Sequence, residues 1–152
     1  MKRAALSTFR RLPMPVRRAV IHTAMPCYTV GAVAVLRRPD GHLVLVEQRH
    51  SVGWALPGGL LSRGEPAAQA LVRELAEELG VRLTPADLPV PLAAVNPIAR
   101  RVDVVYFIDI PDSVVLRTED RAEVTRTGWF RLDALPEIGD PTREILQAVR
   151  LL

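Results

Sequence analysis

The chain has 152 residues, 49% hydrophobic and 24% charged, with a formal net charge of +3. That length fits one domain with enough chain to bury a core, and the composition is that of an ordinary globular protein, not a disordered or fibrous one. A single cysteine, Cys27, excludes an internal disulfide and fits a reducing, cytoplasmic setting, and no apolar run approaches the ~20 residues of a membrane span.

Basic residues crowd the start: Lys2, Arg3, Arg10, Arg11, Arg17 and Arg18 all precede the first acid, Asp40. The arginines interrupt the apolar stretch that a signal peptide needs, so export is not expected. Residues 1–27 read as a basic arm and 28–152 as the domain. Within the arm, Leu6, Phe9, Leu12, Val16, Val20 and Ile21 recur at mixed spacing, and Pro13 and Pro15 limit it to two short helical pieces. Such an arm packs on the domain or on a second subunit. A basic surface for nucleic acid or lipid headgroups is the sharper alternative, although basic termini are ordinarily just solvated.

Tyr28 to Leu36 reads as a buried strand and His42 to Glu47 as its return. Pro39-Asp40-Gly41 makes the turn between them, with the Asp-Gly pair that favours hairpins. Trp54-Ala55-Leu56 leads through Pro57 into Gly58 and Gly59, which are expected to form a loop. The next helix is expected to start at Pro66, where a fixed φ and a missing N–H cost nothing, and to stop at Gly80, which tolerates the left-handed conformation of a helix end. At about 100° per residue, Leu71, Val72, Leu75 and Leu79 share a face that packs into a core. Glu74 and Glu78 stack on a neighbouring face, Glu77 borders it, and Ala67 and Ala70 leave room beside the acids. Arg73, four before Glu77, can hold that carboxylate. An acidic helix face is ordinarily a solvated one. Here, like charges at i, i+4 oppose the helix by roughly 0.2–0.5 kcal/mol and call for a cation. Carboxylates together with the carbonyls of the glycine stretch suit Mg²⁺.

Beyond the helix, Leu83 to Pro91 reads as a proline-bearing loop and Leu92 to Val95 as a short strand. Arg101 to Ile110 is a strong strand whose charged and apolar residues alternate at its start, with Tyr106 placed in the core in preference to stacking on a base. Asp112 to Arg121 is expected to be a polar, mobile loop. Pro141 opens the last helix, and Ile145, Leu146 and Val149 give it an apolar face.

The run from Gly59 to Val81 resembles the Nudix box, G-x5-E-x7-R-E-U-x-E-E-x-G-U, where U is a bulky aliphatic residue. Gly59, Glu65, Arg73, Glu74, Leu75, Glu77, Glu78, Gly80 and Val81 fill its defined positions. A chance match of this kind is on the order of one in a billion per starting position. Glu123, six residues before Trp129-Phe130, resembles the family's second acidic contributor, with Glu119 as its competitor. Leu132 to Leu135 resembles the family's turn into a short helix. The likeness covers residues 28–150. It implies the Nudix fold, a mixed β-sheet sandwiched between α-helices (α/β/α), and hydrolysis of a nucleoside diphosphate linked to another group, dependent on Mg²⁺ or Mn²⁺.

By position, the resemblance implies Glu74, Glu77, Glu78, Glu123 and the carbonyl of Gly58 as metal donors. Glu74 is the leading general base, with Glu77 beside it and Arg73 orienting the acids. Glu65 supports the loop or an extra ion. Gly59 and Arg49 are expected near the substrate's phosphates, Arg49 reading equally well as a surface arginine and His50 as an ordinary surface residue. Pro97, sixteen positions after Val81, lies near a proline that in the family accompanies ADP-ribose hydrolysis, a weak sign in a chain with 13 prolines. The expected partner is a nucleotide, not a membrane or nucleic acid, and a homodimer is a family-level expectation. The substrate stays open among ADP-ribose, nucleoside triphosphates, dinucleoside polyphosphates and nucleotide sugars. Two other readings compete: a non-catalytic nucleotide-binding module, against which the intact acid set argues, and an RNA 5′-end pyrophosphohydrolase, for which the basic arm is the only support.

Overall fold

A computed structural model of the protein describes residues 12–118 and 123–152. Glu119 and the first part of the basic arm lie outside the described residues. The first helix among the described residues, α1 (Met14–Ala24), begins after Pro13, and the earlier of the two expected helical pieces falls outside the described residues. Pro15 falls in its first turn, where the missing N–H has no carbonyl to serve and the fixed φ already suits a helix. Met14, Val16, Val20 and Ile21 remain exposed along it, so the domain does not cover its apolar side.

Seven strands follow: β1 (Thr29–Arg37), β2 (His42–Gln48), β3 (Trp54–Ala55), β4 (Gly58–Leu60), β5 (Leu92–Asn96), β6 (Arg101–Asp109) and β7 (Val124–Arg131). Helix α2 (Ala67–Leu79) lies between β4 and β5, and α3 (Asp140–Ala148) ends the fold. No helix among the described residues is long and apolar enough to cross a membrane.

The sheet is mixed. β1 runs parallel to β6 from Thr29↔Arg101 to Arg37↔Asp109, and β5 is antiparallel to β6 on the outer side. β1 and β2 leave their turn paired at Arg37↔Leu43 and then part. The separation leaves the first half of β1 with unpaired backbone groups, which buried backbone cannot tolerate. Gly58–Leu60 therefore forms a strand and not the expected loop, pairing antiparallel with β1 from Gly31↔Leu60 to Val33↔Gly58. β2 pairs instead with β7 along its length.

Successive side chains of a strand point to opposite faces, and β1 fills two cores in that way. Ala32, Ala34 and Leu36 join Val44 and Val46 of β2 against Leu71, Leu75 and Leu79 of α2. Val33 and Val35 join Leu43 and Leu45 against Ile145 and Leu146 of α3. The result is three layers, helix on sheet on helix, with Tyr106 buried in the α2 core. One wall is stitched across the chain: the Trp54 N–H donates to the Glu137 carbonyl at 2.9 Å, and the Gly139 N–H donates to the Trp54 carbonyl at 3.0 Å. Gly53 makes that approach possible, because a Cβ there would lie 2.8 Å from the Glu137 carbonyl oxygen.

Leu75 has no exposed surface and sits where α2 meets the sheet. Leu75→Ala is expected to lower stability by about 2–5 kcal/mol, read as a fall in the urea midpoint with the slope unchanged.

Candidate active site

Helix α2 begins after an extended Pro66 and stops at Gly80, whose φ of 66° is left-handed and whose N–H reaches back to the carbonyls of Ala76 and Leu75. Its core face is Leu71, Leu75 and Leu79, with Ala70 also buried and Val72 half-buried. The next face carries the acids, and it lies directly on β4. That approach depends on two glycines. Gly58 has a φ of +132°, and a Cβ on it would run into the Ala32 carbonyl of β1. A Cβ on Gly59 would strike the Glu74 carboxylate. A side chain at Gly58 would push β4 off β1, and one at Gly59 would push β4 off the acids of the helix.

Glu78 is buried, with 3% of its surface exposed. Its Oε2 accepts the Gly58 N–H at 2.8 Å and its Oε1 accepts from Gln48 Nε2 at 2.8 Å. Burial pushes its carboxyl up to about 7, against the two hydrogen bonds, and the charges of Glu74 and Glu123 push the same way. Glu74 is also raised, first by burial, while Arg73 opposes the shift and Glu77 and Glu123 add to it. Glu123, from the segment ahead of β7, thus lies within electrostatic reach of both helix acids, although far from them in sequence.

Arg73 organises the group. Its Nη1 donates to Glu74 Oε1 at 2.7 Å and, more distantly, to Glu77 Oε2 at 3.4 Å. Its Nε and Nη2 grip both oxygens of Glu65 at 3.1 and 3.2 Å. Glu65 also accepts the Ser62 N–H at 2.8 Å, which ties the turn before α2 to the helix. Both carboxylates bonded to Arg73 raise its already high pKa, so it is a permanent cation. Glu77 is the most open of the acids, with half of its side chain exposed.

Among the described residues, no three His, Cys, Asp or Glu side chains converge tightly enough to form a closed metal shell as they stand. The chemistry of the donors nonetheless suits a hard divalent ion: all are oxygens, several are carboxylates, and two of those have their charged forms disfavoured by burial and by neighbouring acids. A cation at this edge relieves both costs.

The other expected site residues separate. Gly59 lines a cavity of about 480 Å³ between β1, β4 and the start of α3. Arg49 does not enter it. It is exposed, its N–H donates to the Glu123 carbonyl at 2.9 Å, and it lines a different cleft with Arg117 and Arg126. Three residues of the cavity were not singled out from sequence. Gln48 lines it while holding Glu78. Arg101 and Asp103 enter from β6. The signal for Asp103 was an acid between Val102 and Val104 in a strand otherwise rich in buried residues.

The comparisons with known proteins agree with this geometry. A profile of the NUDIX domain matches residues 28–149. A MutT-like protein of Streptomyces ambofaciens is 29% identical over 130 residues, covering 86% of this chain and 79% of that protein. An RNA pyrophosphohydrolase of Francisella tularensis is 33% identical over 105 residues, or 69% of this chain and 61% of its own length. The crystal structure of a MutT NUDIX hydrolase from Burkholderia pseudomallei superposes with a TM-score of 0.64 at 31% identity, covering 80% of this chain and 97% of that one.

The raised carboxyl of Glu78 has a measurable consequence without any metal. Its ordinary value is 4.5 and its folded value about 7, so between those limits the folded chain holds a proton that the unfolded chain has lost. Stability is then greatest below the lower value and declines as pH rises through the upper one. Urea midpoints in chelating buffer are expected to fall across this window in the parent chain and to fall less in Glu78→Gln. Parallel slopes would clear Glu78 of the effect.

Proposed function

As the chain belongs to the NUDIX domain family, we propose that it is a pyrophosphohydrolase that uses a divalent ion, Mg²⁺ or Mn²⁺, to cleave the diphosphate of a nucleoside diphosphate joined to a second group. The observation that carries this reading is Glu78: a carboxylate buried to 3% exposure, held by a strand N–H and an amide, with two other acids close enough to raise its pKa. A stable helix gains nothing from such a group, whereas a cation site does.

Glu74, Glu77, Glu78, Glu123 and the carbonyl of Gly58 are the proposed donors. An ion held by these donors would neutralise the diphosphate's charge and acidify water. Glu74 is the proposed general base, and Oε2 is the oxygen that takes the proton of the attacking water, since Oε1 is engaged by Arg73. Arg73 fixes the orientation of Glu74 and, through Glu65, the turn that carries Ser62. Gln48 and the Gly58 N–H fix Glu78 so that its oxygens need no reorganisation when charge develops. Gly59, bare of a side chain beside Glu74, lets a phosphate approach the acids from the cavity.

A second reading, action on the 5′ end of RNA, is favoured by the Francisella relative. Phosphate release from 5′-triphosphorylated RNA, weakening steeply with salt, would place the chain there. The general proposal is tested with a nucleotide panel, with and without Mg²⁺ or Mn²⁺, and with the products identified. Glu74→Gln is expected to lower kcat about 10²–10⁴-fold. Glu78→Gln is expected to keep its circular dichroism spectrum and lose most turnover. Full turnover in folded Glu78→Gln would remove it from the metal set.

A further inference from the structure

We propose that Asp103 is a specificity-determining residue: from the floor of the cavity it accepts hydrogen bonds from a nucleobase that presents N–H donors, best a 2-amino-6-oxopurine. This rests on the reading of the cavity's ligand as a nucleotide.

Asp103 is 5% exposed, yet it lines the cavity. Its Oδ2 accepts from Arg101 Nε at 2.6 Å. Its Oδ1 receives no donor among the described residues. It lies instead in the space a side chain at position 31 would fill, 2.7 Å from where a Cβ on Gly31 would stand. Gly31 is the register partner of Asp103 across the parallel β1–β6 ladder, and it lines the same cavity. A glycine opposite the acid therefore leaves one carboxylate oxygen open. An oxygen open to the cavity is an acceptor that a ligand's N–H can meet in place of water.

The floor does not suit a phosphate. Arg101 also contacts Glu144, its Nη2 lying 3.5 Å from Oε2, so two acids share one cation and the floor carries one net negative charge. The phosphate's place is the opposite end, where Gly59 and Gln48 border the glutamates of α2 and the proposed divalent ion would offset their charge. Between the ends, Val33, Leu56, Leu60 and Ile145 form apolar walls around about 480 Å³, a volume in the range of small-molecule sites. A planar ring suits the walls, and its edge meets Asp103. A guanine-type edge offers a ring N–H and an amino N–H side by side, matching an acceptor-only carboxylate. A uracil-type edge offers one N–H between two carbonyls, which the carboxylate repels.

The test is calorimetric titration with GMP, IMP, UMP and dGMP in buffer containing Mg²⁺, in which these monophosphates offer no diphosphate to cleave. The parent chain is expected to bind GMP roughly tenfold or more tightly than IMP or UMP, as a hydrogen bond to a charged acceptor implies, and dGMP like GMP. In Asp103→Asn the preference is expected to collapse or to turn toward UMP, whose carbonyls the new amide can meet. Gly31→Ala, which crowds Oδ1 without removing the charge, is expected to shrink the preference too, and it serves if the first variant does not fold. Equal binding of UMP and GMP, an unchanged preference in folded Asp103→Asn, or a loss with dGMP as large as with IMP would each overturn the proposal, the last by assigning the donor to the sugar. Because binding is read with ligands that cannot be hydrolysed, the two readings fail separately. A GMP preference without hydrolysis sinks the hydrolase and leaves Asp103, and hydrolysis without base preference does the reverse.

Discussion

A carboxylate placed where water cannot reach it governs the design of this molecule. Removing an ionised acid from solvent costs several kcal/mol even after relaxation, and the Gly58 N–H and the Gln48 amide return only part of it to Glu78. The neighbouring acids then add repulsion. The surrounding elements are arranged around that cost. The glycine pair brings β4 against the helix, and the end of β2 delivers Gln48. The parting of β1 from β2 gives β4 a strand edge to occupy. The electrostatic stress is thereby held in a rigid frame, and the proposed divalent ion would offset it there.

Arg73 shows why the cluster tolerates so many acids on one helix. Its planar fork reaches Glu65 through two nitrogens and Glu74 through a third, geometry that a lysine's single ammonium cannot reproduce. One cation thus links the loop, the helix and the proposed base, while leaving Glu78 to the strand. The acid edge and the cavity floor are separately balanced: Arg73 serves the first, and Arg101, shared by Asp103 and Glu144, serves the second.

Local rules made α2 legible. Its apolar period, the proline before it and the glycine after it act within a few residues of chain, and all appear in the fold. The two-core sandwich was legible through the family likeness, and the strand hairpins through their alternation. What escaped depends on distant pairings. Gly58 and Gly59 looked like a loop because nothing in their own composition tells that β1 will lack a partner there. Asp103 looked like one polar beat in an alternating strand, and only its register opposite Gly31 shows it facing a cavity. Arg49 sits ahead of the glycine stretch in sequence and beside Glu123 in space, yet lines another cleft.

The stitch between Trp54 and the Glu137–Gly139 segment completes one side of the cavity with backbone alone. Neither segment contributes an acid to the α2 edge. Apart from Gly53 and Gly139, where a Cβ would break the stitch, and the buried Ile138, side chains in these two turns can therefore vary while the acid edge stays fixed. Diversification within such a scaffold proceeds by retailoring the glove and leaving the blade as it was.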